Sequence, residues 1–146
     1  MAYLAQFLIV VFLFGFYSSA VLAKEYHCKY EKRFKEGGSK GAEAKLEVTN
    51  GKLTKLIVSS FNASGKEGGG YSCAIDTSGK GQVVKWSTRS QKTTLEVDKS
   101  VIEIEAVGVA YKINLEDAAR DSCGFGAEWP EYVVLTPGNP KCLVKD

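Results

Sequence analysis

Two hydrophobic patterns divide the chain. Over residues 1–23 the apolar positions are almost continuous, with an apolar run at 7–16; from Lys24 onward they come in short stretches that alternate with polar ones. Residues 42–49 read AEAKLEVT, which places Ala42, Ala44, Leu46 and Val48 on one side and Glu43, Lys45 and Glu47 on the other. A period of two with one apolar face predicts a half-buried β-strand. Asn50-Gly51 follows at once, the pair that most readily takes the positive φ angles of a type I′ turn, and 52–60 (KLTKLIVSS) returns as its hairpin partner.

A glycine-rich stretch comes next, at 62–70, before a strand at 71–75. So many glycines in a row predict an exposed loop. Further β-branched runs at 82–88, 93–97, 101–107 and 109–113, and a last pair at 132–135 and 141–144, give the spacing of an antiparallel sheet protein. Within 101–107, Ile102 and Ile104 face inward and Glu103 and Glu105 outward. The segment 114–121 (NLEDAARD) predicts a short helix: Asn114 can cap it and Glu116 and Asp117 suit the positive end of its dipole. The expected fold is all-β, a small antiparallel β-barrel or sandwich of about seven to nine strands with one short helix and two disulfides.

The first segment sets the compartment. Of its 23 residues 19 are apolar, the apolar run is about half of the ~20 residues that span a bilayer, and Ser18, Ser19, Ala20 and Ala23 supply small residues before Lys24. This is a signal-peptide pattern, so the expected organisation is a signal peptide at 1–23 followed by a single secreted or periplasmic β domain at 24–146, with no membrane association after cleavage. Cysteine usage agrees. Cys28, Cys73, Cys123 and Cys142 are even in number, all follow Ala23, and have no zinc-site spacing. Three connectivities exist for four cysteines. The expected one joins Cys28 to Cys73 and Cys123 to Cys142, the second pair bracketing a hairpin.

Nineteen Lys and Arg against seventeen Asp and Glu give a net charge of only +2, without the basic patch of a nucleic-acid binder. Catalytic chemistry is equally sparse. The single histidine, His27, adjoins Cys28, so a Ser-His-Asp or Cys-His set would have to use it, and no GxSxG elbow surrounds any serine. One histidine rules out HExxH metal spacing, and neither Gly65-Lys66 nor Gly79-Lys80 has the rest of a phosphate-binding loop. Acidic residues near Trp86 or Trp129 are the one route to a carboxylate pair, and packing is the commoner role for both tryptophans. The sequence therefore points to a binding protein rather than an enzyme, with no metal and no cofactor.

The binding element expected is the loop NASGKEGGGY, where glycines allow close approach and Tyr71 offers an amphipathic anchor. Asn62-Ala63-Ser64 is also a glycosylation sequon. Three pieces carry a resemblance: Tyr26-His27-Cys28, Ala63-Ser64-Gly65 ahead of Tyr71, and Val84-Lys85-Trp86-Ser87. They are similar to the early Tyr-x-Cys, the Ser-Gly-x-x-Tyr signature and the aromatic-Trp-Ser strand of the bacterial periplasmic and membrane-bound inhibitors of chicken-type lysozyme. Five residues separate Gly65 from Tyr71 where that family has two. The resemblance implies a small antiparallel barrel whose loop enters the cleft of a lysozyme-like hydrolase, with Ser64, Gly65 and Tyr71 inserting and Lys66 facing a cleft carboxylate. A periplasmic immunity protein, a protease inhibitor or a small ligand-binding barrel would share the same composition. A ligand carrier should have a polar or enlarged interior, an inhibitor a filled core and an exposed loop.

Overall fold

The computed structural model describes residues 22–64, 70–118, 123 and 128–145. Ten strands form two antiparallel sheets in which every paired neighbour is also the neighbour in sequence. The first sheet runs β1 (Ala23–Arg33), β2 (Gly38–Thr49), β3 (Lys52–Ser64) and β4 (Gly70–Asp76). The second holds β5 (Val84–Arg89), β6 (Lys92–Val97), β7 (Ser100–Val107), β8 (Ala110–Asn114), β9 (Tyr132–Leu135) and β10 (Leu143–Lys145), with β5 and β10 at its edges.

Alternation explains the core. Cys28, Ala44 and Val58 lie side by side on β1, β2 and β3 and are fully buried, as are Leu95, Ile102, Ile113, Val133 and Leu135 from the second sheet. Polar residues between them project outward, Glu103 among them. The Tyr26 and Tyr111 rings meet edge to face at 4.9 Å, joining β1 to β8 across the two sheets. Burial, and then the charge and hydrogen bonding of Tyr26, raise the Tyr111 phenol above its usual range. At the β2–β3 turn Asn50 and Gly51 both have positive φ, 51° and 76°, as a type I′ hairpin requires.

Three expectations are corrected. Among the described residues there are ten strands rather than seven to nine, β1 being longer than the alternation of Tyr26, Cys28 and Tyr30 amid charged neighbours suggests. The helix at 114–121 is absent where the chain is described: Asn114 closes β8 opposite Tyr132, and Leu115 is fully buried with its amide bonded to the Glu131 carbonyl. The inward alternation of Ile113 thus carries on to Leu115, and burying that side chain outweighs the capping signal. Residues 119–121 of that segment lie outside the described residues.

The third correction is the disulfide pairing, which joins Cys28 to Cys142 and Cys73 to Cys123. Cys28 on β1 and Cys73 on β4 have two strands between them. At ~4.8 Å per strand their backbones stand roughly 14 Å apart, twice the reach of a disulfide. Each bridge instead ties an outer strand of the first sheet to the C-terminal half of the chain. Around Cys28 the union is reinforced by backbone bonds from Lys29 N–H to the Pro140 carbonyl (2.8 Å) and from Cys142 N–H to the Lys29 carbonyl (3.2 Å).

Candidate functional site

The glycine-rich connection joins β3 to β4, whose pairing brings its two ends together: Ala63 stands opposite Gly70 and Asn62 opposite Tyr71. The expected loop residues Gly65 and Lys66 lie outside the described residues, Ser64 ends β3, and Tyr71 is on β4 with 42 % of its surface exposed. The β1–β2 turn lies at the same end of the sheet, because Arg33 pairs with Ser39 and Gly38 with Ser64.

Register assembles a row that sequence reasoning did not single out. Lys32, Lys40, Asn62 and Tyr71 are consecutive partners across β1 to β4. One step nearer the core the row is Tyr30, Ala42, Ser60 and Cys73. Since Ala42, Ser60 and Cys73 are buried, both rows belong to the face that looks toward the second sheet.

A cavity of about 390 Å³ opens there, lined among others by Tyr30, Lys40, Ser60, Asn62, Glu128 and Trp129. The Ser60 hydroxyl donates to the Glu128 carbonyl at 2.7 Å, which holds the 128–130 segment over the sheet end. The Trp129 Nε1–H is buried and has no hydrogen-bond partner among the described residues. Tyr30 and Lys32 lie on β1, where lysines and glutamates around Tyr26, Cys28 and Tyr30 hide the period of two in the sequence. The sequence singles out Trp129 as a packing aromatic, but its place at this end of the sheet follows from a distant segment with no strand periodicity.

A second cavity of about 440 Å³ lies at the opposite end, between the β2–β3 turn at Gly51 and the β5–β6 turn at Ser90, with Trp86 and Tyr111 in its wall. Trp86 and Trp129 are both partly buried against the core. His27 sits on the outer face of β1 and bonds Glu43 Oε1 through Nε2 at 2.9 Å. All four cysteines are in disulfides, and among the described residues no group of three or more His, Cys, Asp or Glu is arranged to hold a metal. The chain matches no protein-family model, no curated protein sequence and no solved structure.

Proposed function

We propose that the protein is an exported inhibitor that binds a lysozyme-like cell-wall hydrolase and places the β3–β4 loop, Ser64 to Tyr71, in its cleft. The observation that carries this reading is the filled interior. Cys28, Ala44, Leu46, Val58, Ile102, Ile104 and Ile113 occupy the space between the sheets, each at most 1 % exposed, and both cavities open at the ends of the molecule. A barrel built to carry a ligand at its centre would leave that space open. Two disulfides suit an oxidising compartment outside the cytosol. The loop's ends are held by a long three-strand ladder, the arrangement in which a rigid sheet presents a binding segment at low entropic cost.

The test is a lysis assay in which purified, disulfide-bonded protein is titrated against chicken-type, invertebrate-type and goose-type lysozymes. Saturable inhibition of one class, lost in the Ser64→Ala/Tyr71→Ala double variant at unchanged melting temperature, is the expected result. Inhibition of none, or a double variant as potent as the parent, overturns the reading.

A further inference from the structure

At the end of the molecule away from the loop, the second cavity is framed by the β2–β3 turn at Gly51, the β5–β6 turn at Ser90 and Gln91, and the strand ends of β7 and β8 at Ala106 and Tyr111. Its volume, about 440 Å³, falls in the range of small-ligand sites, ~300–1,000 Å³. The wall is apolar where water reaches it: Leu53, Trp86, Ala106 and Tyr111 line it, and each is only partly buried. Just beyond Ala106 the β7–β8 turn adds Val107 and Val109, which are 53 % and 73 % exposed. The frame is tied together, since the Ala106 amide donates to the Gln91 carbonyl at 2.9 Å.

The polar groups of this wall make little demand on a ligand. The Thr88 and Thr93 hydroxyls bond each other at 3.0 Å, Tyr111 is hydrogen-bonded with Tyr26, and Ser90 and Gln91 are exposed at the rim where water serves them. A polyhydroxyl ligand would lose its own water and find few free partners, whereas an apolar body gains by covering the exposed apolar surface. Charge at the mouth selects the other end of the ligand. No acidic residue lines the cavity. Lys52 and Arg89, exposed on the two turns, have no ion pair among the described residues. Both stand at outward positions of their strands, and their long stems keep the charges in water beside the mouth, where an anionic head group would also stay hydrated. We propose that this cavity binds an amphiphile with a single apolar chain and an anionic head, the chain lying along Leu53, Trp86 and Tyr111 and the head beside Lys52 and Arg89.

Nuclear magnetic resonance reads this directly, because the chain has two tryptophans and hence two indole N–H signals, assigned by loss of one in Trp129→Phe. Decanoate, decanol and decyltrimethylammonium are titrated separately at neutral pH into the disulfide-bonded protein, each below the concentration at which it forms micelles. The expected result is a saturable shift of the Trp86 signal by decanoate, with the Trp129 signal at the opposite end unmoved, weaker binding of decanol and the weakest binding of the cation. The Lys52→Gln/Arg89→Gln double variant, changed only at exposed positions, should bind decanoate roughly fivefold more weakly and decanol as the parent does, as loss of two solvent-screened charges implies. Ala106→Glu, which sets a carboxylate in the apolar wall, should abolish the shift by both. Decanoate without a saturable shift overturns the proposal, as does equal movement of both signals, a cation that binds as tightly as decanoate, or a double variant that binds decanoate like the parent. Lysozyme inhibition by the same samples is a separate readout, so failure of this site and failure of the inhibitor reading are distinguishable.

Discussion

At the scale of single residues, Gly41 shows where a side chain has been given up so that neighbours can pack. It pairs with Phe61 across β2 and β3, and a Cβ added to it would stand 2.3 Å from the Tyr30 carbonyl oxygen and 2.6 Å from the Phe61 ring. The ring could swing aside, but the carbonyl belongs to the β1–β2 ladder and cannot. Gly41→Ala should therefore destabilise by about 2–3 kcal/mol, the range of overpacking, and Phe61→Leu should not rescue it. Urea unfolding of the single and double variants measures both. Asp76 illustrates a charge effect. Its carboxylate accepts from the Ser78 hydroxyl at 2.5 Å and the Ser78 amide at 2.8 Å, and these bonds, the hydroxyl foremost, hold its pKa below the usual 3.8. A carboxyl whose pKa is lower in the folded state stabilises the fold at pH above 3.8, and that contribution disappears as pH falls through the folded value. Asp76→Asn should thus melt slightly lower at neutral pH, by less than about 1 kcal/mol because the site is open to solvent, and the gap should close in strong acid.

Elements add what a residue alone does not have, namely register. The β2–β3 hairpin was legible down to its turn, because period-two alternation on both strands and Asn50-Gly51 between them agree on one geometry. Gly51 has φ +76° and open space within 4 Å of an added Cβ, so the cost of substituting it comes from the backbone alone. Gly51→Ala should lower stability by about 1 kcal/mol, the cost of a left-handed conformation with a side chain, and Gly51→Asn by less, since asparagine tolerates that region. Thermal melts of the pair would check the order. β1 and the segment after β8 were not legible for opposite reasons. In β1 the apolar face is carried by Tyr26, Cys28 and Tyr30 amid lysines and glutamates, so amphipathic side chains hide the alternation. After β8, Asn114, Glu116 and Asp117 mimic a helix start, whereas a buried Leu115 commits the chain to the core. The candidate loop was legible as composition, and the polar rows beside it only once strand register had aligned β1 to β4.

For the whole molecule the decisive connections are those between the sheets, and these depend on strand order, which alternation does not reveal. Each sheet is a meander of local contacts, so the two halves are held together by the Tyr26–Tyr111 contact, the shared apolar face, the hydrogen bonds of Lys29 and Ser60 to the C-terminal segments, and two disulfides. The expected pairing of Cys28 with Cys73 would have stapled one sheet to itself. The observed pairing is nested: Cys73–Cys123 spans 50 residues inside the 114 spanned by Cys28–Cys142. In the chain-entropy picture an isolated outer loop would give the larger stabilisation, ~5 against ~4 kcal/mol. The inner bridge, however, offers a short route that leaves only roughly 65 residues to be closed by the outer one, which brings its contribution near ~4 kcal/mol as well. Loss of either bridge by a paired Cys→Ala change should then cost about the same, on the order of 4 kcal/mol, and loss of both should cost more than twice that amount, since the outer loop in the absence of the inner bridge regains its full length. Equilibrium unfolding of the two single-bridge variants decides this: a Cys28/Cys142 variant much less stable than its Cys73/Cys123 counterpart would mean that strain or packing lost at the β1 junction, rather than chain entropy, governs how the two sheets stay together.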